Sequence, residues 1–352
     1  MWFVSDNTHP AASQILEAIG RANAGHAASY GADAVSHRAA AALRAVFEAP
    51  AAEVFLLPTG TAANALALGC LCPPWGSVYC HAGAHVNYDE CGAPEFYTAG
   101  AKLIGLDGAH GRIGPETLAA ALATGLGGSV HNVQPAALSL TNATEAGTLY
   151  DPAAVAELAG QAHAAGLGVH MDGARFANAV AALGCTPAEL SWKAGIDVLS
   201  LGATKDGCLA AEAVLFFDPA RAASFGFRRK RAGQLFSKHR LFGAQIEAWL
   251  ADGLWLELAA RANARAAALG RGLAAIPGVI LEHPVEANAV FARWPRALHR
   301  AALAGGAQYH LWDFDATLDG PDDEPLLARL VCGWATSEAE VEALLGLLRV
   351  GA

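Results

Sequence analysis

Short apolar runs alternate with longer alanine-rich segments between about residue 53 and residue 217. The runs have the length and the leucine or β-branched content of strands, and the segments between them are long enough to be helices. The predicted strands are Glu53–Leu57, Ser77–Cys80, Lys102–Leu106, Ala136–Thr141, Gly168–Met171, Asp197–Ser200 and Ala213–Phe217. The predicted helices are Thr61–Cys70, Pro115–Thr124, Pro152–Ala165 and Ala174–Leu183. This alternation predicts an α/β domain built on a mainly parallel, seven-stranded sheet.

The alternation stops after Phe217, where a long helical stretch runs through Leu250 and on to Ala275. Three further candidate strands and a final helix follow, at Val279–Glu282, Ala289–Trp294, Leu327–Gly333 and Glu338–Leu348. This pattern predicts a smaller α+β domain packed against the first one. We therefore expect a large domain over residues 1–250 and a small C-terminal domain over residues 251–352.

The composition limits the class of protein. The chain has 352 residues, 54% of them hydrophobic, which is enough for a large core and a second, smaller one. Every apolar run is interrupted well short of the ~18 residues that a membrane span needs, and the first residues lack the basic and apolar regions of a secretory signal. Seven cysteines without a CxxC pair favour reduced thiols. We expect a cytoplasmic protein without membrane association.

The charge of the chain argues against nucleic acid as a partner. The formal net charge is -10 at pH 7, whereas nucleic-acid-binding domains are usually basic. One segment, Arg228-Arg-Lys-Arg231, is locally basic and needs its own explanation. A solvated helix face would account for it.

An acid and a base follow the predicted strand Gly168–Met171, in the tetrapeptide Asp172-Gly-Ala-Arg175. Ligands of parallel sheets lie beyond the carboxyl ends of the strands, so this position is a candidate site. A buried carboxylate beside a cation stays ionised and can keep a pyridine nitrogen protonated, and the planar fork of Arg175 suits a carboxylate. The alternative is that Asp172 caps the next helix and Arg175 is its surface partner.

A single lysine follows the next predicted strand, in the small-residue loop Leu201-Gly-Ala-Thr-Lys205-Asp-Gly207. A solvated loop lysine is the commoner interpretation of such a residue. A desolvated lysine near cationic groups, however, has a lowered pKa and forms imines with aldehydes. Because Lys205 and Asp172 follow neighbouring strands, each supports a functional interpretation of the other.

A phosphate-binding helix start is predicted at Thr59-Gly60-Thr61, directly after the first strand. Free backbone N–H groups, two hydroxyls and the positive end of the helix dipole favour an anion there. The segment lacks both GxGxxG and GK[ST], which disfavours a dinucleotide-dependent oxidoreductase or an NTPase. An ordinary threonine-capped helix is the alternative.

His85 follows the second predicted strand and could stack on an aromatic ring, with Glu90 about one helical turn later. A lone histidine is more often structural. A metal site is disfavoured, because His81, His85 and Glu90 lack the i, i+4 pairing of a zinc helix. We expect no bound metal.

Taken together, six motifs resemble the threonine aldolase family in composition and in order along most of the chain. They are Ser5-Asp6, Tyr30-Gly-Ala-Asp33, Thr59-Gly60-Thr61, His85 with Glu90, Asp172-Gly-Ala-Arg175 and Lys205. The resemblance implies the architecture of fold type I pyridoxal-phosphate enzymes, and aldol cleavage of β-hydroxy-α-amino acids such as threonine, allo-threonine and phenylserine. It also implies a homotetramer of tight dimers with shared active sites, to which residues 1–50 would contribute.

The same resemblance assigns the cofactor contacts. Lys205 would carry pyridoxal 5′-phosphate, Asp172 would pair with its pyridine nitrogen, and His85 would stack on its ring. Gly60 and Thr61 would hold its phosphate.

Other basic residues would bind the substrate or reach a neighbouring subunit. Ser5, Arg175 and Arg329 would bind the substrate carboxylate, and Arg231 or Lys238 would reach the phosphate of the partner subunit. That last role would explain the basic segment without nucleic acid.

The sequence leaves the catalytic base and the reaction open. His85, Glu90 or an ordered water could remove the proton of the β-hydroxyl. A β-eliminating lyase or an aminotransferase would keep the pairing of Asp172 with Lys205, and a noncatalytic protein could retain the cofactor pocket alone.

Overall fold

The computed structural model describes residues 1–125, 128–313 and 315–351. Its larger sheet contains β1 (Glu53–Leu57), β2 (Gly76–His81), β3 (Lys102–Leu106), β4 (Gln134–Thr141), β5 (Gly168–Gly173), β6 (Val198–Gly202) and β7 (Glu212–Phe216). The strands lie in the order β1-β7-β6-β5-β4-β2-β3. Among these strands only β7 runs in the opposite direction to the other six, which confirms the prediction of a seven-stranded, mainly parallel sheet.

Helices cover both faces of this sheet and connect its strands. The first eight are α1 (Ser13–Ala22), α2 (Ala34–Val46), α3 (Gly60–Leu71), α4 (His85–Tyr88), α5 (Ala93–Tyr97), α6 (Pro115–Gly125), α7 (Pro152–Ala164) and α8 (Phe176–Leu183). Local sequence explains several of their ends: Asp33 and Asp151 cap α2 and α7 through their carboxylates, and Gly184 adopts a left-handed φ of 64° after α8. Short 3₁₀ helices lie at Asp6–Thr8, Ala109–Gly111, Trp192–Ala194, Thr204–Asp206, Pro219–Ala222 and Ala251–Gly253.

The helical stretch predicted after Phe217 is three separate helices. They are α9 (Phe225–Arg231), α10 (Arg240–Leu250) and α11 (Leu254–Ala274). Asp252 and Gly253 both have positive φ, 52° and 75°, and this left-handed backbone ends the helical path between α10 and α11. The apolar periodicity continues across the break, which is why the sequence suggests one stretch.

A second, antiparallel sheet has the order β10-β11-β9-β8. Its strands are β8 (Ile280–Leu281), β9 (Ala289–Pro295), β10 (His310–Leu311) and β11 (Pro325–Val331), with α12 (Arg296–Ala304) and α13 (Glu338–Gly351) packed beside them. The sequence predicted β8, within Val279–Glu282, but did not predict β10. The predicted end of the small domain, residue 352, lies outside the described residues.

The first residues of the chain pack against the small sheet. Phe3 is fully buried in its core, its N–H donates to the carbonyl of Gln308, and its carbonyl accepts from the N–H of Val331. Helix α11 also joins the two cores, with Leu258 under the large sheet and Leu273 under the small one. The segment after Phe3 is therefore held between the two sheets, close to the carboxyl ends of the large-sheet strands.

In the described residues, no helix has both the length and the apolar character that crossing a membrane requires. All seven cysteines are free thiols.

Candidate active site

One cavity at the carboxyl edge of the large sheet gathers residues from five separate parts of the chain. Its lining includes Gly60, Thr61 and Asn64 from α3, His85 and Glu90, Thr141, Ala143 and Glu145 after β4, Asp172, Ala174 and Arg175 after β5, and Lys205 after β6. We call it the reaction cavity. The parallel direction of β4, β5 and β6 explains the convergence, because their carboxyl ends meet at the same edge.

Lys205 is half-buried and its side chain lines the reaction cavity together with Asp172. Burial lowers the pKa of the Lys205 ammonium, and the nearby Arg175 lowers it further, while Asp6 and Asp172 oppose the shift. A lowered pKa increases the fraction of neutral amine, which is the nucleophilic form. The structure therefore places Lys205 in a site where imine chemistry is favourable, and not in a solvated loop.

Asp172 is buried and accepts two hydrogen bonds at 2.9 Å, from Asn64 Nδ2 and from the N–H of Ala174. The tetrapeptide sequence had suggested a cationic partner for this carboxylate. The adjacent arginine, Arg175, instead pairs with Asp6. Asp172 thus makes its hydrogen bonds to neutral donors and turns the backbone into α8 at the same time.

Asn64 joins Asp172 to a second carboxylate. Its Nδ2 also donates to Glu90 Oε1 at 2.9 Å, and the same oxygen lies 2.9 Å from Nδ1 of His85. The hydrogen bond that His85 donates to Glu90 raises the pKa of His85, and burial raises the pKa of Glu90. This chain of contacts, from Asp172 through Asn64 and Glu90, fixes the imidazole of His85. Asn64 was not among the site residues predicted from the sequence, although it lies in the predicted phosphate-binding helix.

Glu145 is a second site residue that was not predicted from the sequence. Its Oε1 accepts from the backbone N–H of His85 at 2.7 Å and from the Thr141 hydroxyl at 3.1 Å. Its Oε2 is buried and makes no hydrogen bond to any described residue. The sequence feature that could have identified Glu145 is its position just after β4, at the same edge of the sheet as Asp172 and Lys205.

Arg175 donates to Asp6 from Nε at 2.6 Å and from Nη2 at 2.9 Å, and Asn288 adds a third donor to that carboxylate at 3.0 Å. Nε and Nη2 of Arg175, which were predicted to bind a ligand carboxylate, therefore bind the Asp6 carboxylate instead. Nη1 of Arg175 forms no hydrogen bond with the described residues, so it remains available for a ligand.

Arg329, on β11, approaches the same region from the small sheet. Burial lowers its pKa to about 10, and the like charge of Arg175 contributes. Its guanidinium lies 4.7 Å from the ring centroid of Trp312. Two nearby arginines whose charges repel each other form a natural site for a carboxylate.

Ser5 lies at the start of the helical turn Asp6–Thr8, and its Oγ accepts from the N–H of Asn7 at 3.2 Å. Its hydroxyl hydrogen stays available, because the contact with Asp6 Oδ1 is long, 3.5 Å. The structure therefore places Ser5 beside the Asp6–Arg175 pair.

The start of α3 forms one wall of the reaction cavity. Thr59 caps the helix by accepting from the N–H of Ala62 at 3.3 Å, and the N–H groups of Gly60 and Thr61 belong to the first turn, which has no partners within a helix. A Cβ at Gly60 would meet no atom within 4 Å. Both residues also line a second cavity together with Lys205, so this helix start faces the amine.

Arg231 and Lys238 lie outside the reaction cavity. Both are exposed, Arg231 at the end of α9 and Lys238 in the loop that follows. Within the basic segment, Arg228 and Arg229 donate to the carbonyls of Tyr97 and Leu56. The structure of one chain therefore does not bring Arg231 or Lys238 to its own site.

The arrangement combines an amine with lowered pKa, a buried carboxylate, an imidazole held by a glutamate, an anion-binding helix start and two arginines. These groups can bind a phosphorylated aldehyde and a zwitterionic amino acid side by side. The pairing of a lysine with a carboxylate at neighbouring strand ends carries this interpretation.

Comparison with known proteins gives consistent matches. A family model described as β-eliminating lyase matches residues 3–295. A low specificity L-threonine aldolase from a Pseudomonas species is 42% identical over 347 residues, covering 99% of this chain and 96% of the relative. An enzyme of the same name from Pseudomonas aeruginosa is 41% identical, covering 97% and 95%. The solved structure of Leishmania major threonine aldolase superposes with a TM-score of 0.91 at 29% identity, covering 100% of this chain and 99% of that one.

Proposed function

The chain belongs to the β-eliminating lyase family and groups with its threonine aldolases, and on that basis we propose that it cleaves L-β-hydroxy-α-amino acids to glycine and an aldehyde. The substrates would be threonine, allo-threonine and phenylserine. The observation that carries the proposal is that Lys205 and Asp172 line one cavity, after neighbouring strands. It is a carbon–carbon lyase that depends on pyridoxal 5′-phosphate.

The reaction cavity fits that cofactor in three respects. It offers an amine with lowered pKa for the aldehyde, and a buried carboxylate for the pyridine nitrogen. It also offers the open helix start at Gly60 for the phosphate. In addition, Asn64 Oδ1 is buried and has no partner among the described residues, so the cavity wall retains an acceptor for a ligand.

We assign the residues that would hold the cofactor as follows. Lys205 would bind the cofactor covalently, and Asp172 would keep a proton on its pyridine nitrogen. His85, fixed by Glu90, would lie against the ring, and Gly60 and Thr61 would donate to the phosphate from the start of α3. When bound, the cofactor supplies a conjugated cationic ring that accepts the electron pair released as the Cα–Cβ bond breaks.

The substrate carboxylate would be bound by Arg329 and by the free Nη1 of Arg175, with Ser5 beside them. Asp6 and Asn288 hold the guanidinium of Arg175 in place. Binding the carboxylate at a fixed point orients the Cα–Cβ bond, and orientation selects which bond to Cα is broken.

The decisive experiment is product analysis with purified protein. L-threonine, L-allo-threonine and phenylserine are supplied with the cofactor, and the aldehyde and glycine are quantified. The Lys205→Ala variant is expected to lose turnover and the absorbance of the lysine-bound cofactor, while Lys102→Ala, at an exposed position on β3, keeps both. Cleavage of L-threonine by Lys205→Ala at the wild-type rate would refute the assignment.

β-Elimination is the second candidate, because the matching family model carries that description. Its products would be a keto acid and ammonia, whereas a requirement for an amino acceptor would indicate an aminotransferase. A bound cofactor without turnover would indicate a noncatalytic protein.

We also propose that two or four copies assemble with shared sites. Tyr30, Phe227 and Phe236 are exposed aromatic residues near Arg231 and Lys238, and the N–H of Tyr30 donates to the carbonyl of Ser237. Such a surface suits a second copy, which would receive Arg231 or Lys238 at its phosphate.

Hybrid assemblies test this. Mixing inactive Lys205→Ala subunits with Arg231→Ala subunits is expected to restore part of the activity, because some sites would then contain both wild-type groups. Activity of the mixture equal to the sum of the separate variants would contradict shared sites.

Seven free thiols favour a reducing compartment, and we propose the cytoplasm.

A further inference from the structure

Glu145 lies where two cavities share a wall. One is the reaction cavity. The other, which we call the aromatic cavity, has a volume of about 590 Å³ and is lined by Tyr88, Phe291, Trp312, His110 and His283, among others. Glu145 belongs to the lining of both, whereas Lys205, Asp172, His85 and Glu90 line the reaction cavity and do not appear in the described lining of the aromatic one.

The two oxygens of this carboxylate are in different situations. Oε1 is held by the backbone N–H of His85 and by the Thr141 hydroxyl. Oε2 is buried and has no hydrogen-bond partner within the described part of the chain. Leaving a buried carboxylate oxygen unpaired is costly, so an unpaired oxygen at a cavity wall indicates a donor that arrives with the ligand.

The position of the other binding groups identifies that donor, provided that the proposed function is correct. The substrate carboxylate lies at Arg175 and Arg329, and its amine reacts at the Lys205 end of the reaction cavity. Arg329 stacks on Trp312, which lines the aromatic cavity, so the side chain beyond Cβ has an adjoining space to enter. The β-hydroxyl then stays at the shared wall, beside Glu145.

The other candidate bases lie away from the junction, because His85 and Glu90 line the reaction cavity and are absent from the described lining of the aromatic cavity. Glu90 Oε1 accepts from Asn64 and contacts His85 Nδ1, and this ties Glu90 to the groups that hold the ring. His85 uses Nδ1 for that contact and its backbone N–H for Glu145. Glu90 Oε2 is also buried without a hydrogen-bond partner among the described residues, so what distinguishes the free oxygen of Glu145 is its position at the junction of the two cavities.

We propose that Glu145 is the catalytic base that removes the proton of the substrate β-hydroxyl. The O–H bond breaks as the proton moves to Oε2, the C–O bond becomes the C=O bond of the aldehyde, and the Cα–Cβ bond breaks. The electron pair of that bond stays with Cα, where a new C–H bond forms with a proton from solvent. The proton on Glu145 returns to solvent, so the products are glycine and an aldehyde with no net redox change.

The charges around Glu145 suit this role. Burial raises the pKa of the Glu145 carboxyl, the nearby Asp172 raises it further, and the hydrogen bonds from His85 and Thr141 oppose the shift. Arg175, Tyr150 and Cys80 are the other titratable groups that interact with it. A base whose pKa lies closer to neutrality is more effective at neutral pH.

The test compares two reactions of the same holoenzyme. Cleavage of L-threonine needs a base at the β-hydroxyl, whereas exchange of the glycine α-proton with deuterium from solvent does not, because glycine has no β-carbon. The variants are Glu145→Gln, which keeps the acceptor for His85, and the control Glu286→Gln. Glu286 also accepts a backbone N–H, from Leu149 at 2.7 Å, and is absent from the described linings of both cavities.

For Glu145→Gln we expect kcat for cleavage to fall by about 100-fold or more, the usual loss of a general base. We expect glycine exchange, cofactor absorbance and melting temperature to stay near wild type. Cleavage within about threefold of wild type would overturn the proposal, and so would equal losses of cleavage and exchange with the cofactor bound.

If Glu145→Gln does not fold or does not bind the cofactor, Glu145→Asp decides the matter. Shortening the side chain withdraws the carboxylate, and cleavage is expected to fall while exchange is retained. Unchanged cleavage would refute the role of Glu145. Failure of the proposed function itself would look different, because the wild-type protein would then release no aldehyde from any of the three substrates.

Discussion

Arg175 and Asp6 form a buried, two-point ion pair that joins the start of the chain to the end of β5, with contacts of 2.6 and 2.9 Å. Asp6 is 2% exposed. Burial alone would raise the pKa of its carboxyl, but Arg175 and Lys205 outweigh burial and hold the pKa well below the usual value. The pair therefore orders the segment between the two sheets and fixes the guanidinium at the wall of the reaction cavity.

Asp6→Asn is expected to destabilise the protein by roughly 3 kcal/mol, because it leaves a largely buried guanidinium without its counter-charge. The KM for L-threonine should rise as well, since Arg175 loses its fixed orientation. Urea unfolding and steady-state kinetics measure the two effects. The control is Asp107→Asn, at an exposed position, which should change neither.

The sign of the pH dependence follows from the lowered pKa of Asp6. Its ion pair contributes stability in full above the pKa of an unfolded aspartate, about 4, and loses that contribution as the pH falls below it. The difference in unfolding free energy between wild type and Asp6→Asn should stay constant from about pH 7 to pH 5 and narrow below about pH 4. A difference that narrowed near neutrality instead would contradict the ion-pair account.

Asn64→Leu is expected to weaken cofactor binding by about tenfold or more, equivalent to roughly 1.4 kcal/mol. The amide of Asn64 is the donor shared by Asp172 and Glu90, so its loss leaves two buried carboxylates facing each other with fewer hydrogen bonds. An absorbance titration of the apoprotein with pyridoxal 5′-phosphate gives the dissociation constant. Asn263→Leu, which removes a similar amide from α11, serves as control. Equal affinities for the two variants would show that the bridge has no role in binding.

Trp312→Ala tests whether the aromatic ring orders Arg329. Cation–π contacts contribute roughly 0.5–2 kcal/mol, so KM should rise by about 2- to 30-fold with a smaller change in kcat. The effect should appear with L-threonine as well as phenylserine, since both have the carboxylate that Arg329 would bind. Trp75→Ala removes an exposed tryptophan outside the described linings of both cavities, and it should leave KM unchanged. A rise confined to phenylserine would mean that Trp312 contacts only the substrate side chain.

The sheet and several candidate site residues were predictable because they depend on local periodicity and on one topological rule. Apolar runs located all seven strands of the large sheet to within two residues. Polar residues after strands of a parallel sheet share an edge, which predicts that Asp172 and Lys205 are neighbours. The position of Lys205 beside Asp172 therefore follows from the strand pattern and this rule together.

Other contacts depend on packing that no local pattern encodes. Asp6 pairs with Arg175, 169 positions away in the chain, and Asn288 reaches the same carboxylate from the other sheet. Glu145 was missed because a lone acid in a loop has no motif, and its significance comes from a backbone N–H that the fold supplies. The break between α10 and α11 was missed because the positive φ angles of Asp252 and Gly253 leave the apolar pattern intact.

His170 links three strands of the large sheet beneath the reaction cavity. It is fully buried on β5, its Nδ1 lies 2.9 Å from Ser139 Oγ on β4, and its Nε2 lies 2.9 Å from Ser200 Oγ on β6. Asp172 follows two residues later on the same strand, so both side chains point to the same face. The imidazole thus links three strands at the level just below the candidate cofactor site.

Burial lowers the pKa of His170 to about 4. A depressed histidine pKa means that the neutral ring stabilises the fold above the unfolded pKa of about 6.5, and that this stability is lost as the pH falls towards 4. His170→Ala should therefore be destabilising at pH 7, by roughly 2–3 kcal/mol, because two serine hydroxyls lose their partner in a dry environment. The difference from wild type should shrink by up to about 3 kcal/mol between pH 6.5 and pH 4, as the unfolded histidine takes up a proton that the folded one resists.

Urea unfolding of wild type and His170→Ala at several pH values in this window measures the change directly. His131→Ala, at an exposed position in the loop before β4, is the matched control and should leave the unfolding free energy at pH 7 near the wild-type value. If the difference between wild type and His170→Ala were the same at pH 6.5 and pH 4, His170 would titrate normally in the folded protein. The assignment of a neutral His170 imidazole linking Ser139 and Ser200 would then be wrong. The orientation of Asp172 would have to depend on Asn64 and Ala174 alone.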